Sequence, residues 1–192
     1  MNICMYGASS NRIDQSFMDA TEKLGEKLSA RGHSLVFGGG TNGLMGAAAR
    51  GFYKNKGKII GIAPSFFNVD GVLFENCDEF YYPDTMRHRK AQMEEQSDAF
   101  IITPGGVGTF DEFFEILTLK QLGLHAKPIA IFNINGYFDS LVSLFENCIE
   151  KGFMDERTTA LCPVFNDADQ LIDYIENYKG EAKLCKYIAG EK

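Results

Sequence analysis

Three groups of residues have the types and spacing to do chemistry. The first is Pro104-Gly105-Gly106-Val107-Gly108-Thr109, which follows the apolar run Ala99-Phe100-Ile101-Ile102 and precedes an acidic helix start. Glycines lack Cβ, so the backbone there can turn tightly and approach an anion. A helix beginning at that point aims unpaired N–H groups and a positive dipole end at the same anion. A second turn, Phe37-Gly38-Gly39-Gly40-Thr41-Asn42-Gly43, follows Ser34-Leu35-Val36 in the same manner. Two such junctions imply a ligand with a phosphate and something attached to it. Neither junction holds G-x-x-x-x-G-K-[ST], nor a strict G-x-G-x-x-G with an acid about 20 residues on, which disfavours P-loop ATP hydrolysis and ordinary dinucleotide binding. Glycine also serves tight connections that hold no ligand, so the turns gain meaning from what surrounds them.

The second group, Met86-Arg87-His88-Arg89-Lys90, falls in the first turns of a helix starting at Asp84 or Thr85, where cations face an already positive dipole. Helical spacing sets Met86, Arg89 or Lys90, Met93 and Ser97 on or near one face, so Arg89 lies beside the buried stripe and requires an anionic partner. Arg87 reads as solvated. The third group is Thr109-Phe110-Asp111-Glu112-Phe113-Phe114-Glu115. Thr109 with Glu112 fits a T-x-x-E capping box, and acids in a first turn suit the dipole, so Asp111 and Glu115 say little alone. Glu112 also stands three residues from the loop that would hold a phosphate. A carboxylate there suits glycosyl transfer, because breaking a bond at ribose C1′ develops oxocarbenium charge. Arg89 would bind the phosphate, hold Glu112 ionised, or do both.

Other polar residues have two readings each. Ser9, Ser10 and Asp84 are ligand contacts or helix caps. His33, His88 and His125 stand in no paired Cys/His spacing, which argues against a bound transition metal. Phe113, Phe114 and Leu117 read as core or subunit contacts rather than a base-stacking platform.

These groups need a frame that brings them together. Short apolar runs predict strands near 2–6, 34–37, 58–62, 79–82, 99–102, 128–132 and 161–165. Amphipathic stretches predict helices near 15–31, 43–55, 85–97, 110–122, 137–151 and 168–178. Such alternation calls for an α/β fold with a parallel sheet of about seven strands covered by helices on both faces, and ligands in such sheets sit beyond the carboxyl ends of the strands. With 192 residues and 45% hydrophobic content, the chain suits one domain over 1–178, followed by a polar tail or packed arm over 179–192. A net charge of −7 without a sustained basic stretch argues against a nucleic-acid partner. Five cysteines with no C-x-x-C pair suit a reducing compartment. No leader and no membrane-length apolar run is evident, so a cytoplasmic location without membrane attachment is expected.

Pro104-Gly105-Gly106-Val107-Gly108-Thr109-Phe110-Asp111-Glu112 resembles the PGGxGTxxE signature of the Lonely Guy family. Met86 and Arg89-Lys90 resemble parts of its MHERK signature, while Arg87 and His88 depart from it. The resemblance runs on through Phe37–Gly46, Ser97–Phe100 and Asn135–Phe138, and covers roughly residues 2–178. It implies a three-layer, modified Rossmann-like fold, usually dimeric, that cleaves nucleoside 5′-monophosphates into free base and ribose 5-phosphate with no cofactor. The substrates implied are cytokinin riboside 5′-monophosphates, AMP, or both. Carried over, Arg89 and Glu112 would be the catalytic pair and Gly105, Gly106, Gly108 and Thr109 would hold the phosphate. Ser10, Gly39, Gly40, Asp84, Met86 and Lys90 would complete the nucleotide contacts. The departures at positions 87 and 88 bear on base preference. Relatives labelled lysine decarboxylases would need a Schiff-base lysine, and Lys90 and Lys120 read instead as helix positions, one near a phosphate and one on a surface. A nucleotide-sensing module without catalysis is the alternative, and it would not need Glu112.

Overall fold

Strands covered on both faces must be apolar at consecutive positions, and the central runs of this chain become such strands: every residue of β3 (Ile59–Ile62), β5 (Ala99–Ile102) and β6 (Ile129–Phe132) is buried. With β1 (Asn2–Tyr6), β2 (Ser34–Phe37), β4 (Glu79–Tyr81) and β7 (Val164–Phe165) they form one parallel sheet in the order β4-β3-β2-β1-β5-β6-β7. The computed structural model describes residues 1–69 and 71–180. From residue 181 the expected tail lies outside the described residues.

Helices cover both faces. On one, α1 (Gln15–Ala30), α2 (Gly43–Lys54) and α7 (Ala168–Asn177) bring Leu24, Leu28, Phe52, Leu171 and Ile172 against Ile3, Leu35 and Ile101. On the other, α3 (Met86–Glu95), α4 (Val107–Gln121) and α5 (Asp139–Glu150) bring Met93, Phe113, Ile116 and Phe145 against Cys4, Phe100 and Ile131. This is the three-layer Rossmann-like architecture expected. A short helix, α6 (Arg157–Ala160), and two 3-10 turns, Ser65–Phe67 and Ile134–Gly136, carry no sequence periodicity and were not expected. Residues 161–163 are not strand, because Cys162 N–H bonds back to Thr159 O at the end of α6. Among the described residues no helix is long and apolar enough to cross a membrane.

Strand order reverses on either side of β1, so the chain leaves β1 and β5 into a common crevice. Ala8 fixes that crevice. Its N–H donates to Pro104 O at 3.0 Å, and its carbonyl accepts from Leu44 N–H at 2.8 Å and Met45 N–H at 3.3 Å. One residue thus ties the loop after β5 to the start of α2.

Candidate active site

The start of α4 differs from the capping-box expectation. The helix begins at Val107, with Gly106 as its N-cap and no side-chain cap, so Thr109 and Glu112 lie inside it. Thr109 is buried and occupies the space a Cβ on Gly105 would need. Among the described residues, the N–H groups of Val107, Gly108 and Thr109 have no protein acceptor, and a Cβ built on Gly106 or Gly108 would meet nothing within 4 Å. Open space in front of unpaired helix amides is where an anion fits. Tyr137 braces the loop from outside, its hydroxyl donating to Gly105 O at 2.6 Å. Sequence reasoning assigned Tyr137 no role; its signal is the preceding Asn135-Gly136 pair, both at positive φ, which turns the ring back toward the loop.

The other glycine turn is used differently. The amides that open α2 are taken by the protein itself: Gly43 N–H donates to Asn11 Oδ1 at 2.8 Å, and Leu44 and Met45 donate to Ala8 O. Thr41 N–H donates to Val72 O at 3.0 Å, and Phe74 N–H donates to Gly39 O at 2.8 Å. A Cβ on Gly38 would overlap Nη2 of Arg89, so this turn makes room for the arginine.

Thr85, not Asp84, caps α3, its hydroxyl accepting from His88 N–H at 3.1 Å. Asp84, Arg87 and His88 are exposed, whereas Arg89, one turn in, is buried at 7% exposure. Its Nε donates to Ile62 O at 3.1 Å and its Nη1 to Glu112 Oε1 at 2.7 Å. Glu112 is buried too, at 8%. Burial pushes its carboxyl above the ordinary carboxylate range, and the charge and hydrogen bond of Arg89 pull it partly back. Beneath the pair, Tyr6 and Cys4 are buried; desolvation raises both, the Cys4 thiol to about 12, and the Glu112 charge adds to it.

Lys90 turns away from this pair. Its Nζ meets Asp111 Oδ2 at 3.0 Å and also pairs with Glu115, outside the buried ion pair. Lys120, expected on a surface, is buried at 3%: its Nζ donates to Leu161 O at 2.9 Å and lies 4.7 Å from the Tyr178 ring centre. Its aliphatic stem lets it sit in the core at the end of α4, where desolvation lowers its pKa to about 8.

Two clefts flank the C-terminal end of β1. One, about 310 Å³, is bordered by Arg89, Gly38, Gly40, Met45, Phe67 and Met86. The other, about 240 Å³, is bordered by Ser10, Phe17, Leu44, Gly105, Gly106 and Tyr137. Arg89, Gly40 and Met86 border the first cleft and Ser10, Gly105 and Gly106 the second, while Glu112 borders neither and is joined to the first through its bond to Arg89. Gly39 is engaged by backbone bonding and Lys90 by two carboxylates.

A family model described as "Possible lysine decarboxylase" matches residues 45–175. The probable cytokinin riboside 5′-monophosphate phosphoribohydrolase LOGL3 of Oryza sativa subsp. japonica is 36% identical over 175 residues, spanning 91% of this chain and 83% of that protein. The cytokinin riboside 5′-monophosphate phosphoribohydrolase LOG3 of Arabidopsis thaliana is 36% identical over 188 residues, spanning 95% and 87%. In fold, the molybdenum cofactor carrier protein of Chlamydomonas reinhardtii superposes with a TM-score of 0.69 at 19% identity, over 92% of this chain and 96% of that one. The decarboxylation named in the family description would need pyridoxal phosphate held on a lysine. Among the described residues no lysine borders either cleft, and Lys90 and Lys120 are engaged as described, so these residues do not fit that cofactor.

Proposed function

The chain belongs to the Lonely Guy family, and from this we propose that it hydrolyses the N-glycosidic bond of nucleoside 5′-monophosphates, cytokinin riboside 5′-monophosphates or AMP, releasing free base and ribose 5-phosphate. The observation that carries this reading is the buried Arg89–Glu112 pair at 2.7 Å, set beside a helix start with unpaired amides. The 5′-phosphate lies on the N–H groups of Val107, Gly108 and Thr109, with Gly105 and Gly106 leaving it room. The ribose then lies over Glu112. As the bond from C1′ to the base nitrogen breaks, positive charge spreads over C1′ and the ring oxygen, and the carboxylate stabilises it. Arg89 holds Oε1, which leaves Oε2 to take a proton from the attacking water; the hydroxyl joins C1′ and the base leaves with its electron pair and gains a proton. A carboxylate whose pKa is raised by burial is a better proton acceptor for that step.

Residues 1–178 form the one catalytic domain in this reading. The protein works as a cytoplasmic homodimer, with Phe114 of α4 and Leu144 of α5, 39% and 51% exposed, in the subunit contact.

The test is chromatography of the purified protein incubated with AMP and with N6-isopentenyladenosine monophosphate, each beside its dephosphorylated riboside. Free base from the monophosphates and not from the ribosides supports the hydrolase; no base from any of them, with nucleotide binding still detectable, removes it in favour of a nucleotide-sensing module.

A further inference from the structure

The peptide joining Gly105 to Gly106 has glycine on both sides, so no Cβ restrains its rotation. It is nevertheless held in one orientation. Its carbonyl accepts from the Tyr137 hydroxyl at 2.6 Å, and the two glycines and Tyr137 border the smaller cleft together. The peptide is planar and trans, so the Gly106 N–H points away from that carbonyl and hence away from Tyr137. Among the described residues this N–H, like those of Val107, Gly108 and Thr109 after it, has no protein acceptor.

Tyr137 is itself fixed by the start of α1. Its ring meets Phe17 edge-on, with 6.2 Å between centres, and Asn135 Nδ2 in the turn before it donates to Ser16 Oγ at 2.9 Å. On its other side Phe138 N–H donates to Asn133 Oδ1 at 2.7 Å. The Tyr137 ring is 43% exposed and contributes little to the core, so its hydroxyl can be removed with the fold in place.

We propose that Tyr137 is a positioning residue for the substrate's phosphate: by holding Gly105 O it sets the Gly106 N–H as a fourth donor beside those of Val107, Gly108 and Thr109. This rests on the placing of the phosphate in the hydrolase reading above. Flipping the peptide would exchange the donor for a carbonyl oxygen, whose negative end repels an anion. Acting through Gly106 rather than on the ribose or the base, Tyr137 governs how tightly the phosphate is held and not how fast the glycosidic bond breaks. Its loss therefore falls on KM and leaves kcat unchanged.

The experiment measures kcat and KM for AMP, calorimetric binding of ribose 5-phosphate and of adenine, and urea denaturation, in the wild type and in Tyr137→Phe. The substitution keeps the ring against Phe17 and removes one hydrogen bond. KM for AMP and the dissociation constant of ribose 5-phosphate should rise roughly five-fold, with kcat, adenine binding and the denaturation midpoint close to wild type. Wild-type affinity for ribose 5-phosphate in the variant overturns the proposal. So does a fall in kcat at unchanged KM, or an equal loss of adenine affinity, which marks a general loosening of the site. A wild type that binds ribose 5-phosphate but releases no base removes the hydrolase reading alone, because the binding comparison still decides the role of Tyr137. A wild type that binds neither AMP nor ribose 5-phosphate overturns both.

Discussion

Arg89 occupies the space that a Cβ on Gly38 would need. The glycine turn after β2 and the buried ion pair are therefore one steric unit, although 51 positions of sequence separate the two residues. A methyl at position 38 has to push the guanidinium away from Glu112. Gly38→Ala should lower kcat by about a hundred-fold, as expected when a catalytic group is misplaced by about 1 Å. The check is single-turnover base release together with circular dichroism; a near wild-type rate would show that Arg89 has another productive position.

Glu112→Gln keeps the size of the side chain and an acceptor for Arg89 but removes the charge. Base release should be abolished while nucleotide binding, followed by calorimetry, is largely kept. Hydrolysis at the wild-type rate would remove the catalytic role. Arg89→Ala should be harsher on the fold, because it leaves a carboxylate buried without its counter-charge: the loss of stability is about 3–5 kcal/mol, measured by urea denaturation.

Because burial raises the Glu112 pKa, the carboxylate ionises at higher pH in the folded protein than in the unfolded chain. The acid limb of kcat/KM should therefore lie above the ordinary glutamate value of about 4.3. The stability effect has a definite sign. In the window between the unfolded and folded pKa values the folded state holds more protons, so stability falls as pH rises through it. Relative to Glu112→Gln, the wild type should lose stability across this window, and parallel urea titrations at several pH values would reveal it.

Lys120 titrates in the opposite sense. Its pKa is lowered to about 8 in the fold, so between there and its unfolded value near 10.5 the unfolded chain binds more protons and stability rises with pH. Comparing the wild type with Lys120→Met should show the wild type gaining on the order of 3 kcal/mol over that range. A pH-independent difference between the two would mean that the ammonium is solvated.

Much of this architecture was legible from residue order alone. The buried strands announced themselves because two-sided burial demands unbroken apolar runs, and Arg89 and Glu112 because a cation on a core-facing stripe demands an anion. The start of α4 was not legible: Thr109 and Glu112 have the spacing of a cap, but Gly106 begins the helix earlier by backbone conformation alone. The Val72–Leu73 edge of the cleft beside Arg89 was hidden for a related reason. Val72 and Leu73 are held at the cleft by backbone bonds from Thr41 N–H to Val72 O and from Phe74 N–H to Gly39 O, and backbone bonds leave no trace in side-chain type. Lys120 misled because a lysine on a helix is ordinarily solvated, and only the packing of Leu161 and Tyr178 around it reveals that this one is not.

Ala8 joins the loop after β5 to the first turn of α2 entirely through its own N–H and C=O. Its side chain takes no part in those bonds but borders the smaller cleft, so drift in residue type there should be tolerated only among small residues. Drift in length should not: one residue inserted or deleted between β1 and Ser10 would put both helix starts out of step at once, which makes the span between Gly7 and Ser10 a ruler for the crevice rather than a sequence motif.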